Sequence, residues 1–270
     1  MARRLLPHLL LLLAVGLTLL PFAYQVSLSL TPPQALFTSP WPFAHPLTLE
    51  NYRVVLEKLP WARYTLNTLA FALGSALGQV LLGVLAGYAF AFRRPPLGGF
   101  LFGLFVLSML VPFVVTYLPS YLLVARLGPP DPLPGLIPAH AHRGVRRLSP
   151  PAALPGLSRE ILEAAMVERG GNKDLLLRVL LPANRPTLLA LFLTLFIGAW
   201  NQFVWPMLVA NRPEMYVLTV AVQRFAGGEG SNAWGPLMAA SVLATLPTLV
   251  LFLLFHRRIL ETLMEGGVRG

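Results

Sequence analysis

The chain has 270 residues, 56% of them hydrophobic and only 12% charged, with no cysteine. A soluble domain carries about 25% charged residues, and this chain holds no Lys, Arg, Asp or Glu over 5–49, 64–92, 95–125, 186–211 or 230–256, runs each long enough for a membrane helix of ~20 residues. The net charge of +10 sits in short loops beside those runs, which fits orientation in a membrane better than nucleic-acid binding, and the lack of cysteine excludes a disulfide framework and thiolate chemistry.

Residues 5–30 read as a first span that starts in the cytoplasm behind Arg3 and Arg4. It resembles a signal peptide, but it is long and lacks a small-x-small ending, so we read it as a retained helix. Residues 31–63 form an external loop rich in Pro and aromatics. A short helix is predicted over 48–58, capped by Thr48, with Asn51 and Tyr52 in its first turns. The second span covers 64–92. Gly74, Gly78, Gly83 and Gly87 would let another helix come close, and Arg93-Arg94-Pro95-Pro96 ends it on the cytoplasmic side. The third span, 98–125, contains Pro112 and Pro119. Proline is tolerated inside a span where neighbours satisfy the freed carbonyls, so 108–121 is either irregular helix lining a pathway or a simple kink.

Orientation then demands a fourth crossing over about 136–157. Yet 138–159 holds Arg143, Arg146, Arg147, His140, His142 and several prolines. Burying each Arg near the bilayer centre costs at least ~2.5 kcal/mol. A re-entrant polar segment, a lost helix and an altered reading frame compete. The frame change is favoured because apolar sequence is replaced by an Arg/Pro/His/Ala run between flanks of normal character; translation of the coding DNA in all three frames decides it. The two histidines lack further ligands for a metal.

Residues 158–185 form a cytoplasmic loop. A helix is predicted to start near Ser158, with Ile161, Leu162, Ala165 and Met166 at helical spacing, broken at Gly170-Gly171. A second short helix, 173–181, ends at Leu181-Pro182. Two short amphipathic helices can dock into a partner's groove; the alternative is a pair lying on lipid headgroups. The next span, 186–209, carries Trp200, Asn201, Phe203 and Pro206. Asn201 is expected to be buried and paired, facing protein or a pathway, and Pro206 is expected to end or bend the helix. An external loop, 210–233, contains 215–225, legible as helix or strand. The last span is 234–256, and His256-Arg257-Arg258 holds the C-terminus inside.

There is no GxxxxGK[ST], HExxH or GxSxG, and no catalytic carboxylate pair. The uninterrupted, charge-free spans contain no Asp, Glu, Lys or Arg of the kind that ion-coupled carriers often need. The fold class is all-α and polytopic, and no enzyme activity is expected of the chain itself.

The loop resembles that of inner-membrane permease subunits of ATP-binding-cassette importers. Glu163-Ala164-Ala165 stands 19 residues before Pro182, as that pattern requires. The segment Ala199-Trp200-Asn201-Gln202-Phe203 with Pro206 is similar to the sugar-importer branch, in particular the maltose-type second permease. Asn51-Tyr52, Asn67-Thr68, Gly87-Tyr88-Ala89, Pro112, Gly135-Leu136-Ile137, Ala239 and the glycine-rich ending agree, so the resemblance covers nearly the whole chain outside 138–157. It departs from the pattern where Glu168 is followed by Arg169 instead of glycine, which shifts the turn to Gly170-Gly171.

The resemblance implies a six-helix importer permease fold in the bacterial inner membrane, with both termini cytoplasmic. It implies half of a sugar pathway, shared with a second homologous permease, two ATP-binding subunits and an extracytoplasmic solute-binding protein. Glu163, Ala164, Ala165, Glu168, Gly170, Gly171, Leu181 and Pro182 would couple to the ATPase, and Pro112, Trp200, Asn201, Phe203 and Pro206 would line or pack the pathway. ATP and Mg would be used by the partner ATPase, with no cofactor, metal or nucleic acid on this chain. The alternatives are an importer permease for a non-sugar solute and an ATPase-independent secondary transporter.

Overall fold

The computed structural model describes residues 2–36, 38, 41, 43–90, 96–127, 174–227 and 233–267. Among them every regular element is helical. They are α1 (Ala2–Ser29), α2 (Glu50–Lys58), α3 (Trp61–Tyr88), α4 (Gly98–Leu110), α5 (Phe113–Leu127), α6 (Arg185–Trp200), α7 (Val204–Val209), α8 (Leu218–Gly227) and α9 (Trp234–Gly267). A π-helical stretch, Leu175–Leu180, runs into a helical turn at Leu181–Ala183 just before α6.

Three of these helices are long and apolar enough to cross a bilayer: Leu6–Ser29, Trp61–Tyr88 and Trp234–Arg257. In α1, which runs through Pro7 and Pro21 as one helix, Leu10 to Leu13 are all more than half exposed. An all-round apolar helix exposed in this way is matched to lipid, not to water. Helix α9 continues past 256 to Gly267, where the hydropathy reading ends the span.

The chain folds as two compact units, one of 1–65 and 217–250, the other of 66–216 and 251–270. The first is built around Val55, Ala239 and Ala240, with Tyr52, Leu59, Trp61, Val222 and Leu243 against them. Helix α8 buries Leu218, Ala221 and Phe225, a three-and-four spacing that resolves 218–225 as helix, while Tyr216 stays extended. A polar knot holds the end of α1. Asn51 Nδ2 donates to Ser29 O at 3.0 Å and to Thr31 O at 2.8 Å. Ser29 Oγ meets Tyr52 OH at 2.7 Å, and the Phe43 amide donates to Ser27 Oγ at 2.7 Å. Thr48 Oγ1 accepts from the Glu50 amide at 3.2 Å, although Leu49 holds the N-cap position of α2.

In the second unit α3 buries Thr68, Phe71, Ala72, Ser75, Ala76 and Gln79 on one face. Asn67 Nδ2 donates to Glu214 O at 2.8 Å and Tyr216 O at 3.0 Å. Those bonds tie the start of this unit's α3 segment to the turn after α7. Asn67→Leu strands both carbonyls and is expected to cost about 1–3 kcal/mol, read as a lower unfolding midpoint in detergent; an unchanged midpoint would mean the pair contributes nothing. At Gly78 an added Cβ meets nothing within 4 Å among the described residues.

Candidate functional site: two broken helices and an elbow

The expected third span is two helices. Val111 is extended (ψ 117°) between α4 and α5, the conformation a residue before proline prefers because the ring excludes the helical one. Pro112 therefore breaks the helix, whereas Pro119 lies inside α5. Pro112 itself is exposed.

The span expected over 186–209 is likewise two helices, α6 and α7. The bend comes at Asn201–Phe203 and not at Pro206. Pro206 falls in the first turn of α7, where a missing amide is harmless. It cannot donate back to residue 202, so the ladder must be interrupted upstream. Gln202 N turns to Ala199 O at 3.1 Å, and Met207 N restarts the ladder on Phe203 O at 3.0 Å. Trp200 is buried and stacks on Phe196 with centroids 5.8 Å apart. Pro206 is buried and Phe203 half-buried. Asn201 departs from expectation: it is exposed, and its Nδ2 folds back on Ile197 O at 2.9 Å. The Asn201 backbone amide donates to the same carbonyl at 3.2 Å, so the side chain shares an acceptor within its own helix end instead of reaching across.

The residue that does reach across was missed. Gln202 Nε2 donates to Tyr117 OH at 3.2 Å. It joins the break after α6 to α5, the helix that follows the break at Pro112. Both interruptions thus lie in one unit with neutral hydrogen-bonding groups between them. Discontinuous membrane helices are where transporters commonly expose backbone and side-chain polar groups to a solute.

On the other side of α6 lies an elbow. Leu175–Ala183 and α6 meet at 76°. The expected terminator, Leu181-Pro182, is inside the helical turn, with Leu181 half-buried and Pro182 exposed. The break falls two residues later at Asn184 (φ −100°, ψ 9°). Pro186 explains the shift: it has no amide to give Pro182 O, and its ring would clash with that carbonyl in a continuous helix. Arg178 Nε and Asp174 Oδ1 pair at 3.2 Å on the exposed side of the π-helical stretch, an arrangement that contributes little. The other coupling residues, Glu163, Ala164, Ala165, Glu168, Gly170 and Gly171, lie outside the described residues, as does 136–157. No metal-binding group of His, Asp or Glu occurs among the described residues.

No protein-family profile matches the chain. It is 34% identical over 228 residues to the ABC transporter permease protein ORF1 of Streptomyces antibioticus, spanning 84% of this chain and 99% of that one. The chain belongs to the ABC transporter permease family. The permease is also 29% identical over 274 residues to the sn-glycerol-3-phosphate transport system permease protein UgpE of Brucella abortus, across 96% and 95% of the two chains. Its fold matches a bacterial ABC transporter involved in import of the acidic polysaccharide alginate, with a TM-score of 0.80, 19% identity and coverage of 95% and 96%. A second structure of the alginate transporter, with a periplasmic protein carrying alginate pentasaccharide, matches at a TM-score of 0.66 and 17% identity, over 96% of each chain. The permease is therefore a non-catalytic, all-α membrane subunit of an ATP-binding-cassette transporter.

Proposed function

We propose that this permease forms half of an import pathway for a neutral sugar in the bacterial inner membrane, driven by ATPase partners through its 158–185 loop. The observation that carries the reading is the Gln202–Tyr117 pair between two broken helices. An amide and a phenol offer the mixed donors and acceptors that sugar hydroxyls need. The relatives named for glycerol phosphate and alginate handle anions, which call for fixed cations. Here 95–125 and 186–211 hold no Lys or Arg, which supports a neutral cargo.

The rest follows from the family. A second permease completes the pathway, and a solute-binding protein delivers the sugar, as the alginate complex suggests by analogy. Two ATP-binding subunits use ATP and Mg; this chain binds neither. The basic loops beside the spans support a cytoplasmic location for both termini. Membership of this transporter family speaks against an ATPase-independent carrier.

The test is uptake into proteoliposomes by the complex purified through this chain. Neutral oligosaccharide enters only with ATP inside and the binding protein outside. Tyr117→Phe with Gln202→Leu lowers uptake by roughly tenfold, the effect of about 1.4 kcal/mol, with the complex intact. Uptake without ATP overturns the driven mechanism. Competition by sn-glycerol 3-phosphate, with none by neutral sugars, overturns the cargo.

A further inference from the structure

Asn184 carries two opposed sets of hydrogen-bonding groups at the elbow, and only one is in use. The residue is 1% exposed. Its Nδ2 donates to Leu180 O at 3.0 Å, and its backbone amide donates to the same carbonyl at 3.1 Å. Its own carbonyl accepts from Leu188 N at 2.9 Å, the first bond of α6. It holds the N-cap position of α6, yet its side chain caps nothing there, and its Oδ1 is buried without a partner. An N-cap asparagine ordinarily turns its oxygen onto the amide two or three residues on. Pro186 occupies the first of those positions and has no amide. The amide of Thr187 is the other.

We infer that Asn184 is the pivot of a two-position elbow between the coupling loop and α6. In the position seen, the side chain clamps the preceding segment through Leu180 O. In the other, the segment swings, Nδ2 releases Leu180 and Oδ1 takes the Thr187 amide. The buried, unsatisfied acceptor is the mark of the unused position. Pro182 and Pro186, four residues apart, confine the swing to this point because neither can restore a continuous ladder. The stretch at Leu175–Leu180 is π-helical, a winding found often at functional sites. Asn184 is a positioning residue: it touches no solute, and it sets the angle at which loop motion reaches α6. This rests on the coupling role proposed for the loop.

The test uses the complete transporter in proteoliposomes, with Asn184→Ala and Asn184→Asp compared. Both lose the side-chain donor to Leu180 and keep the backbone one; Asp keeps the capping oxygen. This chain has no cysteine, so within it spin labels at cysteines replacing Leu177 and Gly198, both exposed, mark the two sides of the elbow, the partner subunits being used in cysteine-free form. In wild type the label distance is expected to differ between nucleotide-free and ATP-trapped states. Asn184→Ala should lower sugar moved per ATP hydrolysed by about tenfold, within the usual range of coupling, and Asn184→Asp should shift the nucleotide-free distance toward the ATP-trapped one. An unchanged transport ratio with unchanged distances overturns the pivot. So does failure of both variants to assemble, which would make Asn184 a folding residue. Glu163→Arg in the same preparation separates the two ideas. If it leaves uptake intact, the coupling reading fails; if it abolishes uptake while the Asn184 variants behave as wild type, only the pivot fails.

Discussion

Glu163→Arg is expected to abolish ATP-driven uptake while leaving the permease in the membrane. Glu163 opens the Glu-Ala-Ala run of the loop, beside a small apolar face formed by Ile161, Leu162, Ala165 and Met166. In the proposed coupling role, the small side chains of Ala164 and Ala165 would leave room for close approach of a partner. In the same proposal, a carboxylate on the helix predicted there would meet basic or amide groups in a cleft of the ATPase. Reversing its charge there places like charges together in a desolvated contact. Disrupting one partner of a buried charged pair costs about 2–5 kcal/mol, enough for a loss of some hundredfold. Insertion should be unaffected, because the charge-free runs that direct it are untouched and the loop only becomes more basic. Vesicle uptake and an immunoblot of the membrane fraction are the two measurements. Uptake at the wild-type rate with a full membrane pool would remove the loop from the mechanism.

Features set by local composition were legible in the sequence. Charge-free apolar runs reveal α1, α3 and α9, because the bilayer demands length and hydropathy within one contiguous stretch. Prolines announce trouble in a span, but residue type does not choose among them. Pro112 breaks a helix while Pro119 sits within one, and Pro206 displaces its bend to Asn201–Phe203. In each displaced case the missing amide leaves a carbonyl four residues upstream unserved, so the break falls upstream of the proline, at Asn201–Phe203 before Pro206 and at Asn184 before Pro186. Long-range pairs were not legible. Asn51 reads as an ordinary first-turn residue, yet its partners are Ser29 and Thr31. Gln202 and Tyr117 are 85 residues apart. Asn201 is the stronger candidate by sequence, but its side chain bonds back to Ile197 O within its own helix. Asn184 had a signal that went unread: an amide placed between two prolines of one helical turn's spacing.

Gly235→Ala is expected to destabilise the first unit by about 2–4 kcal/mol, the sum of two buried hydrogen bonds weakened or lost and the groups they leave behind. A Cβ built on Gly235 falls 2.6 Å from Asn51 Oδ1, 2.7 Å from Nδ2 and 2.8 Å from Cγ. Real side chains do not approach so closely, so either α9 or the Asn51 amide must move. The amide cannot simply rotate away. It is 1% exposed, and its nitrogen bridges Ser29 O and Thr31 O at the end of α1. Displacing it leaves those carbonyls without their donor in a buried place. Alanine is the better helix former by about 1 kcal/mol in a helix interior, and less in the first turn of α9, where Gly235 sits. The steric loss therefore outweighs the propensity gain. The same geometry predicts the rescue. Asn51→Ala alone should destabilise by removing the bridge, but adding Gly235→Ala to it should then cost nothing, because the atoms it would strike are gone. Thermal unfolding of the four proteins in detergent closes the cycle, and a large coupling between the two positions is expected. Additive effects, or a Gly235→Ala protein as stable as wild type, would mean that α9 yields freely here and that Asn51 does not clamp the end of α1 against it.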